Sequence, residues 1–234
     1  MTARAVVLGA GGGLGQALAT TLVFDGWTEV HALSRAGEPL KGAHAGVADV
    51  IDEASLAAAA ARIGGPIDLI FVTAGVLSGR AARPERRLDD LTPEGLAESF
   101  AVNVAGPALA AKHFAPLLPR DRRAVLAVLS ARVGSIADNR LGGWYCYRAS
   151  KAALNMVVRT LAVELARTHP HAACAALHPG TVDTPLSRPF QRGVPAGRLQ
   201  TPVAAARRLI DTAASLNPTD SGGFFDADGA ALPF

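Results

Sequence analysis

Three observations predict an α/β fold: one domain over residues 1–234, with a doubly wound parallel sheet and helices on both faces. Continuous apolar runs alternate with segments of helical period from one end of the chain to the other. Several of those runs end in turns of small residues, at Gly9–Gly15, Thr73-Ala74-Gly75, Ser130 and Pro179-Gly180. No internal repeat, low-complexity tract or Pro/Gly/Ser linker divides the chain.

Ala5-Val6-Val7-Leu8 is apolar throughout, as a strand buried on both faces is, and runs into glycines at 9, 11, 12, 13 and 15. Leu14, Leu18, Leu22 and Val23 then recur at helical spacing to Asp25-Gly26, where a glycine ends the helix. Glycines between a buried strand and a helix let the backbone approach a ligand where helical N–H groups point outward. That arrangement suits a pyrophosphate, and hence a dinucleotide.

Glu29–Leu33 reads as a second strand ending at Ser34-Arg35. A carboxylate at this place would bind a free 2′-hydroxyl, whereas an arginine can bind a 2′-phosphate. With Ser34 and Arg35 there and no acid, NADP(H) is expected in preference to NAD(H); the plainer alternative is that Arg35 is a solvated loop residue.

Ala45–Val50 fits a third strand with Asp49-Val50 at its end, and Asp52 is placed to cap a helix over Glu53–Arg62. Asp68–Val72 is the fourth strand. Arg80–Asp90, charged and holding Pro84, reads as an exposed loop. Thr92 and Pro93 then start a long helix whose apolar face carries Leu96, Phe100, Val104 and Leu109 toward Phe114. Asn103 falls inside it, either on the surface or holding a polar network. Its neighbours Val102 and Val104 favour burial.

Ala124–Leu129 is the fifth strand and Ser130–Trp144 a long loop. The next helix, running to about Ala166, carries Tyr147 and Lys151 one turn apart on one face. An ammonium beside a phenol favours the phenolate, so the pair is suited to proton transfer; an aromatic packed beside a snorkelling lysine is the plain alternative. Ala172–Leu177 is the sixth strand, leading to His178-Pro179-Gly180. Asp183–Gln200, interrupted by Pro185, Pro189 and Pro195, has no period and reads as a lid. Thr201-Pro202 opens a last helix to about Leu216, and Gly222–Phe225 begins a short final strand.

The net charge of +3 is small and the arginines are scattered without interleaved aromatics, which argues against nucleic acid as a partner. Cys146 and Cys174 lack metal-ligand spacing, so no metal is expected, and two free thiols fit a reducing compartment. The apolar run after Arg4 is too short for a signal or membrane segment. A soluble, cytoplasmic protein without membrane contact is expected.

Taken in order, these motifs resemble the short-chain dehydrogenase/reductase (SDR) family over essentially the whole chain. Gly9-Ala10-Gly11-Gly12-Gly13-Leu14-Gly15 is similar to its GxxxGxG turn, Asp49 to its adenine-contacting acid and Ala74-Gly75 to the end of its NNAG motif. Asn103 corresponds to its helix asparagine, Tyr147 and Lys151 to its YxxxK pair, and Pro179-Gly180 to its PG motif. More narrowly, Gly134-Ser135-Ile136, Gly142-Gly143-Trp144-Tyr145, Tyr147–Asn155 and the Asp226–Gly229 ending before Leu232-Pro233-Phe234 resemble the C-factor and sniffer-like carbonyl reductase branch.

The resemblance implies a Rossmann-like fold and an NADP(H)-dependent oxidoreductase acting on a small-molecule carbonyl or secondary alcohol. It implies cofactor contacts from Gly9, Gly13, Leu14, Gly15, Ser34, Arg35, Asp49, Val50, Ala74, Gly75, Tyr147, Lys151, Pro179, Gly180 and Val182. Tyr147 would exchange the substrate proton, Lys151 would bind the nicotinamide ribose and lower the phenol's pKa, and Asn103 would hold a relay water. Pairing of the two long helices would give a homodimer or homotetramer.

The family's catalytic serine falls on Ala131. Ser135, just beyond Gly134, is favoured over Ser130 as its replacement, with a third option that a backbone N–H or water polarises the carbonyl oxygen instead. A dinucleotide-binding sensor or signalling protein with weak turnover is the alternative function. The retained Tyr147 and Lys151 argue for the enzyme and Ala131 against it.

Overall fold

The computed structural model describes residues 3–78, 83–195 and 197–234. Strands β1 (Arg4–Leu8), β2 (Glu29–Ser34), β3 (His44–Val47), β4 (Leu69–Val72), β5 (Ala124–Leu129), β6 (Ala172–His178) and β7 (Thr181–Val182) appear in chain order, followed by β8 (Leu199–Gln200) and β9 (Phe224–Asp226). Seven of them form one sheet in the order β3-β2-β1-β4-β5-β6-β9, and every neighbouring pair is parallel. β7 and β8 pair separately.

The helices are α1 (Gly13–Phe24), α2 (Glu53–Ile63), α3 (Pro93–Phe100), α4 (Gly106–Phe114), α5 (Tyr145–Thr168) and α6 (Pro202–Ser215). Alternate strand residues divide between two cores. Val6, Leu8, Leu126, Val128, Cys174 and Ala176 face Leu56, Phe114, Leu154 and Val158 of α2, α4 and α5. Val7, Val125, Ala127, Ala173 and Ala175 face Leu18 and Leu22 of α1 and Leu209 and Ala213 of α6. Both sheet faces are covered, which is why these strands read as unbroken apolar runs. No helix among the described residues is long and apolar enough to cross a membrane.

Local chemistry explains most boundaries. Asp52 Oδ1 accepts from Ala54 and Ser55 N–H, Thr92 Oγ1 from Gly95, and Thr201 Oγ1 from Ala204, so three helices start at the expected side-chain caps. The differences are local. β3 stops at Val47, leaving Asp49 and Val50 past its end, because Asp49 N–H is taken by Ser55 Oγ and its Oδ1 by Ile51 N–H. The helix expected over 93–114 is interrupted by a π-helical turn at Ala101–Ala105. The lid expected over 183–200 holds a 3-10 turn at Arg188–Gly193, and its base is closed by the β7–β8 pair. Arg80, at one end of the loop expected over 80–90, lies outside the described residues.

Candidate active site

The C-terminal ends of β1, β4, β5 and β6 put the glycine turn, Thr73–Val76, Ser130–Ser135 and His178–Gly180 along one edge of the sheet, where ligands of doubly wound sheets bind. Gly9 turns with φ +93, a region that disfavours side chains, and a Cβ there would stand 2.5 Å from Thr73 Oγ1. A Cβ on Gly15 would collide with the Gly9 carbonyl, which fixes how closely α1 approaches the strand end. Gly12 caps α1 with no side-chain hydrogen bond, and the first turn has no acid. Its first N–H groups are therefore left for a ligand's oxygens, as a pyrophosphate requires.

Asn103 lies in the π turn and is fully buried. Its Oδ1 accepts from Val76 N–H at 2.8 Å, and its Nδ2 donates to the Val76 carbonyl at 2.8 Å and toward Ser99 Oγ and Ser150 Oγ at 3.2 and 3.0 Å. Ser150 Oγ donates to the Tyr147 carbonyl at 2.9 Å, and Ser99 Oγ to the Cys146 carbonyl at 3.2 Å. The buried network expected of Asn103 therefore exists, and it ties the segment after β4 to the start of α5. Ser99 and Ser150 carry no sequence signal of their own; only the position of Ser150 between Tyr147 and Lys151 hints at a role.

Lys151 is 3% exposed, and its Nζ donates to the Leu129 carbonyl at 2.8 Å. Nζ lies 5.8 Å from the Tyr147 ring centroid, and a Cβ on Gly75 would come within 3.6 Å of it. A Cβ on Gly134 would stand 2.7 Å from Lys151 Cβ, so the turn after β5 seats directly on α5 at the lysine. Burial pushes the Lys151 amine down to about 8 and the Tyr147 phenol up to about 12. The expected lowering of the phenol by Lys151 is thus not what this geometry gives. Desolvation disfavours both charged forms.

The two candidate serines have structural partners. Ser130 Oγ, 4% exposed, donates to Asn155 Oδ1 at 2.6 Å. Ser135 Oγ, 2% exposed, accepts from Asp138 N–H at 3.0 Å and closes a turn. Ala131 is itself buried at the start of that segment.

Trp144 adopts φ 53 and ψ 45, the one non-glycine left-handed residue among those described. Its N–H donates to the Glu85 carbonyl at 2.6 Å, and Arg148 Nε donates to the Gly142 and Gly143 carbonyls, so the loop before α5 is pinned from both sides. The indole meets Tyr147 edge-on at 6.4 Å and Phe190 of the lid at 5.3 Å. Glu85, Arg148 and Phe190 are not legible in the sequence, because their partners are backbone groups and rings brought in by folding.

At the lid's other end, Gln200 Nε2 donates to the Pro179 carbonyl at 3.1 Å, and Thr184 packs over Gly13. Val182 is buried in β7. Arg188, Arg192 and Arg198 are all exposed. His178 Nδ1 is buried without a partner among the described residues, and burial and Arg132 push the imidazole down to about 4. Cys146 is buried, and its thiol is pushed up to about 12.

Ser34, the last residue of β2, is buried, and Arg35 just past it is exposed. The chain folds back so that Ser34 Oγ donates to Glu38 Oε2 at 2.5 Å. An acid therefore stands at this corner after all. A turn delivers it, and strand alternation gives no sign of it.

A family model described as short chain dehydrogenase matches residues 3–194. The C-signal protein of Myxococcus xanthus is 36% identical over 173 residues, covering 73% of this chain and 94% of the relative. Among solved structures, NADPH-bound carbonyl reductase from chicken fatty liver superposes with a TM-score of 0.85 at 23% identity, covering 99% of this chain and 94% of that one. Carbonyl reductase Sniffer of D. melanogaster superposes with a TM-score of 0.83 at 23% identity over the full length of both chains.

Proposed function

The chain belongs to the short-chain dehydrogenase family, and we propose that within it the protein is an NADP(H)-dependent reductase of small carbonyl compounds, with Tyr147 as the proton donor. The observation that carries the reading is the Asn103 network, which holds the backbone of Tyr147 and the turn beside Gly75 and Lys151 in one rigid unit. The names of the carbonyl reductase neighbours, one of them NADPH-bound, support it.

The residues present fit a nicotinamide dinucleotide. The uncapped glycine start of α1 suits the pyrophosphate, Asp49 and Val50 past β3 would flank the adenine, and Ala74, Gly75 and Pro179-Gly180 would line the nicotinamide half. Arg35 would meet a 2′-phosphate, which is the basis for preferring NADP(H). The bound nicotinamide supplies the hydride for reduction, or takes it in the reverse direction.

Tyr147 gives its phenolic proton to the carbonyl oxygen as negative charge develops there. A phenol at about 12 is fully protonated at neutral pH, so it starts as the donor that reduction needs. Lys151 has two N–H groups beyond the one directed at Leu129, and these would hold ribose hydroxyls near Gly75. Once so held, the amine gains acceptors that favour its charged form and brings a positive charge toward the phenol. Asn103 acts by positioning, and a relay water is proposed beside it. With Ser130 Oγ donating to Asn155 and Ser135 buried in its turn, a backbone N–H or water is proposed as the second donor to the carbonyl oxygen.

Trp144, Tyr145 and Phe190 would form the substrate wall, with residues 183–200 as lid. Exposed Leu96, Phe100, Met156 and Val163 on α3 and α5 fit a homodimer or homotetramer. The name of the C-signal relative keeps a signalling role as the second reading. Assay of NADPH and NADH oxidation against ketones, aldehydes and quinones tests the proposal. Turnover with NADPH supports it, and dinucleotide binding without turnover of any carbonyl favours the second reading.

A further inference from the structure

We infer that Glu38 is a cofactor-selecting residue of this chain: an internal carboxylate held on Ser34 at the place a 2′-phosphate would take, which must leave before that phosphate binds. The inference rests on the dinucleotide reading above and deepens it.

β2 ends at Ser34, and a turn through Gly37, at φ +65, returns the chain toward the glycine turn after β1. Gly37 N–H donates to Ser34 Oγ at 2.9 Å while Ser34 Oγ donates to Glu38 Oε2 at 2.5 Å. The serine's one proton is thereby taken by the carboxylate. The same Oε2 would lie 3.4 Å from a Cβ on Gly11, and Ser34 Cβ 3.2 Å from it, so the carboxylate sits over the turn at the N-terminal end of α1. Ser34 and Glu38 line a cavity of about 160 Å³ together with Ala10, Gly11, Gln16 and Leu40.

Two consequences follow from charge and donor count. A ribose 2′-hydroxyl can donate to this carboxylate, as it does to the acid at this corner in NAD-selective folds. A 2′-phosphate instead meets a like charge and a serine with no free proton. The Ser34 hydrogen bond and the Arg35 charge hold the Glu38 carboxyl below its usual range, so at neutral pH it is ionised. Glu38 is exposed and free to swing outward. Doing so releases the Ser34 hydroxyl and takes away the negative charge that opposes Arg35. Arg35 and Glu38 thus act in opposite directions on the same phosphate, and the preference for NADP(H) is the difference between them.

The test is equilibrium binding of NADPH and of NADH, followed by nucleotide fluorescence, to wild type, Glu38→Gln, Glu38→Ala and Arg35→Gln. Both Glu38 variants are expected to bind NADPH about tenfold more tightly or better, with NADH unchanged or weaker. Arg35→Gln is expected to weaken NADPH alone by about tenfold. A ratio of NADPH to NADH affinity that stays within about twofold of wild type in both Glu38 variants overturns the proposal, as does equal tightening of both nucleotides. Wild type binding neither nucleotide would overturn the dinucleotide reading itself. Loss of binding in the Glu38 variants alone would overturn only the role given to Glu38.

Discussion

Asn103 pairs with Val76 through both ends of its amide, accepting from the Val76 N–H and donating to the Val76 carbonyl at 2.8 Å each. A side-chain amide here takes the place of a neighbouring strand. It stops the segment after β4 from drifting off the helix that carries Tyr147.

Asn103→Ala would leave the part-buried Val76 N–H and carbonyl without their partner and loosen Ser99 and Ser150. A loss of about 2–4 kcal/mol in urea unfolding is expected, with a fall in turnover larger than the change in KM. Asn103→Asp, which keeps the acceptor but not the donor, is expected to recover little of it.

Ala131→Ser puts a hydroxyl where the family's serine lies by sequence. With Ser130 Oγ donating to Asn155 and Ser135 buried in its turn, this variant is expected to raise turnover by about tenfold or more. Ser130→Ala and Ser135→Ala are expected to act mainly on stability. A large loss of turnover in Ser135→Ala would restore that serine to a catalytic role.

Lys151 gives a pH signature. Its amine is pushed down to about 8 in the folded chain against 10.5 in the reference state, so the unfolded chain binds more protons between those values. Folding stability therefore rises with pH across that window, relative to Lys151→Met, and the variant is more stable below pH 8. The opposing effect of Tyr147, whose phenol is pushed up to about 12 from 10, begins only where the lysine's ends. Urea midpoints of both proteins from pH 7 to 10 check the sign.

Trp144 offers a separation of backbone from ring. Its left-handed conformation costs a non-glycine residue about 1 kcal/mol, so Trp144→Gly is expected to be more stable than Trp144→Ala by about that amount. Both lose the contacts with Tyr147 and Phe190 and are expected to raise KM alike. Thermal unfolding and steady-state kinetics of the two variants measure the difference.

The sheet was legible in the sequence because strands buried on both faces have no choice but unbroken apolar runs, and Asp52, Thr92 and Thr201 cap where their side chains dictate. The shared helix of Tyr147 and Lys151 and the burial of Asn103 were legible from spacing and flanks. What escaped depends on tertiary closure. The π turn around Asn103 exists because Val76 draws on the asparagine, and Glu38 reaches Ser34 only through the Gly37 turn. The direction of the Tyr147 shift escaped because spacing places Lys151 on the same face but does not say how deeply folding buries both groups.

The most direct test of the central claim is transfer of deuterium from NADPH deuterated at the nicotinamide C4 to a carbonyl substrate, followed by mass spectrometry of the alcohol, in wild type and Tyr147→Phe. The account predicts label on the carbinol carbon with wild type, and loss of most of that product in the variant while NADPH still binds. Equal labelled product from both proteins would contradict Tyr147 as the proton donor.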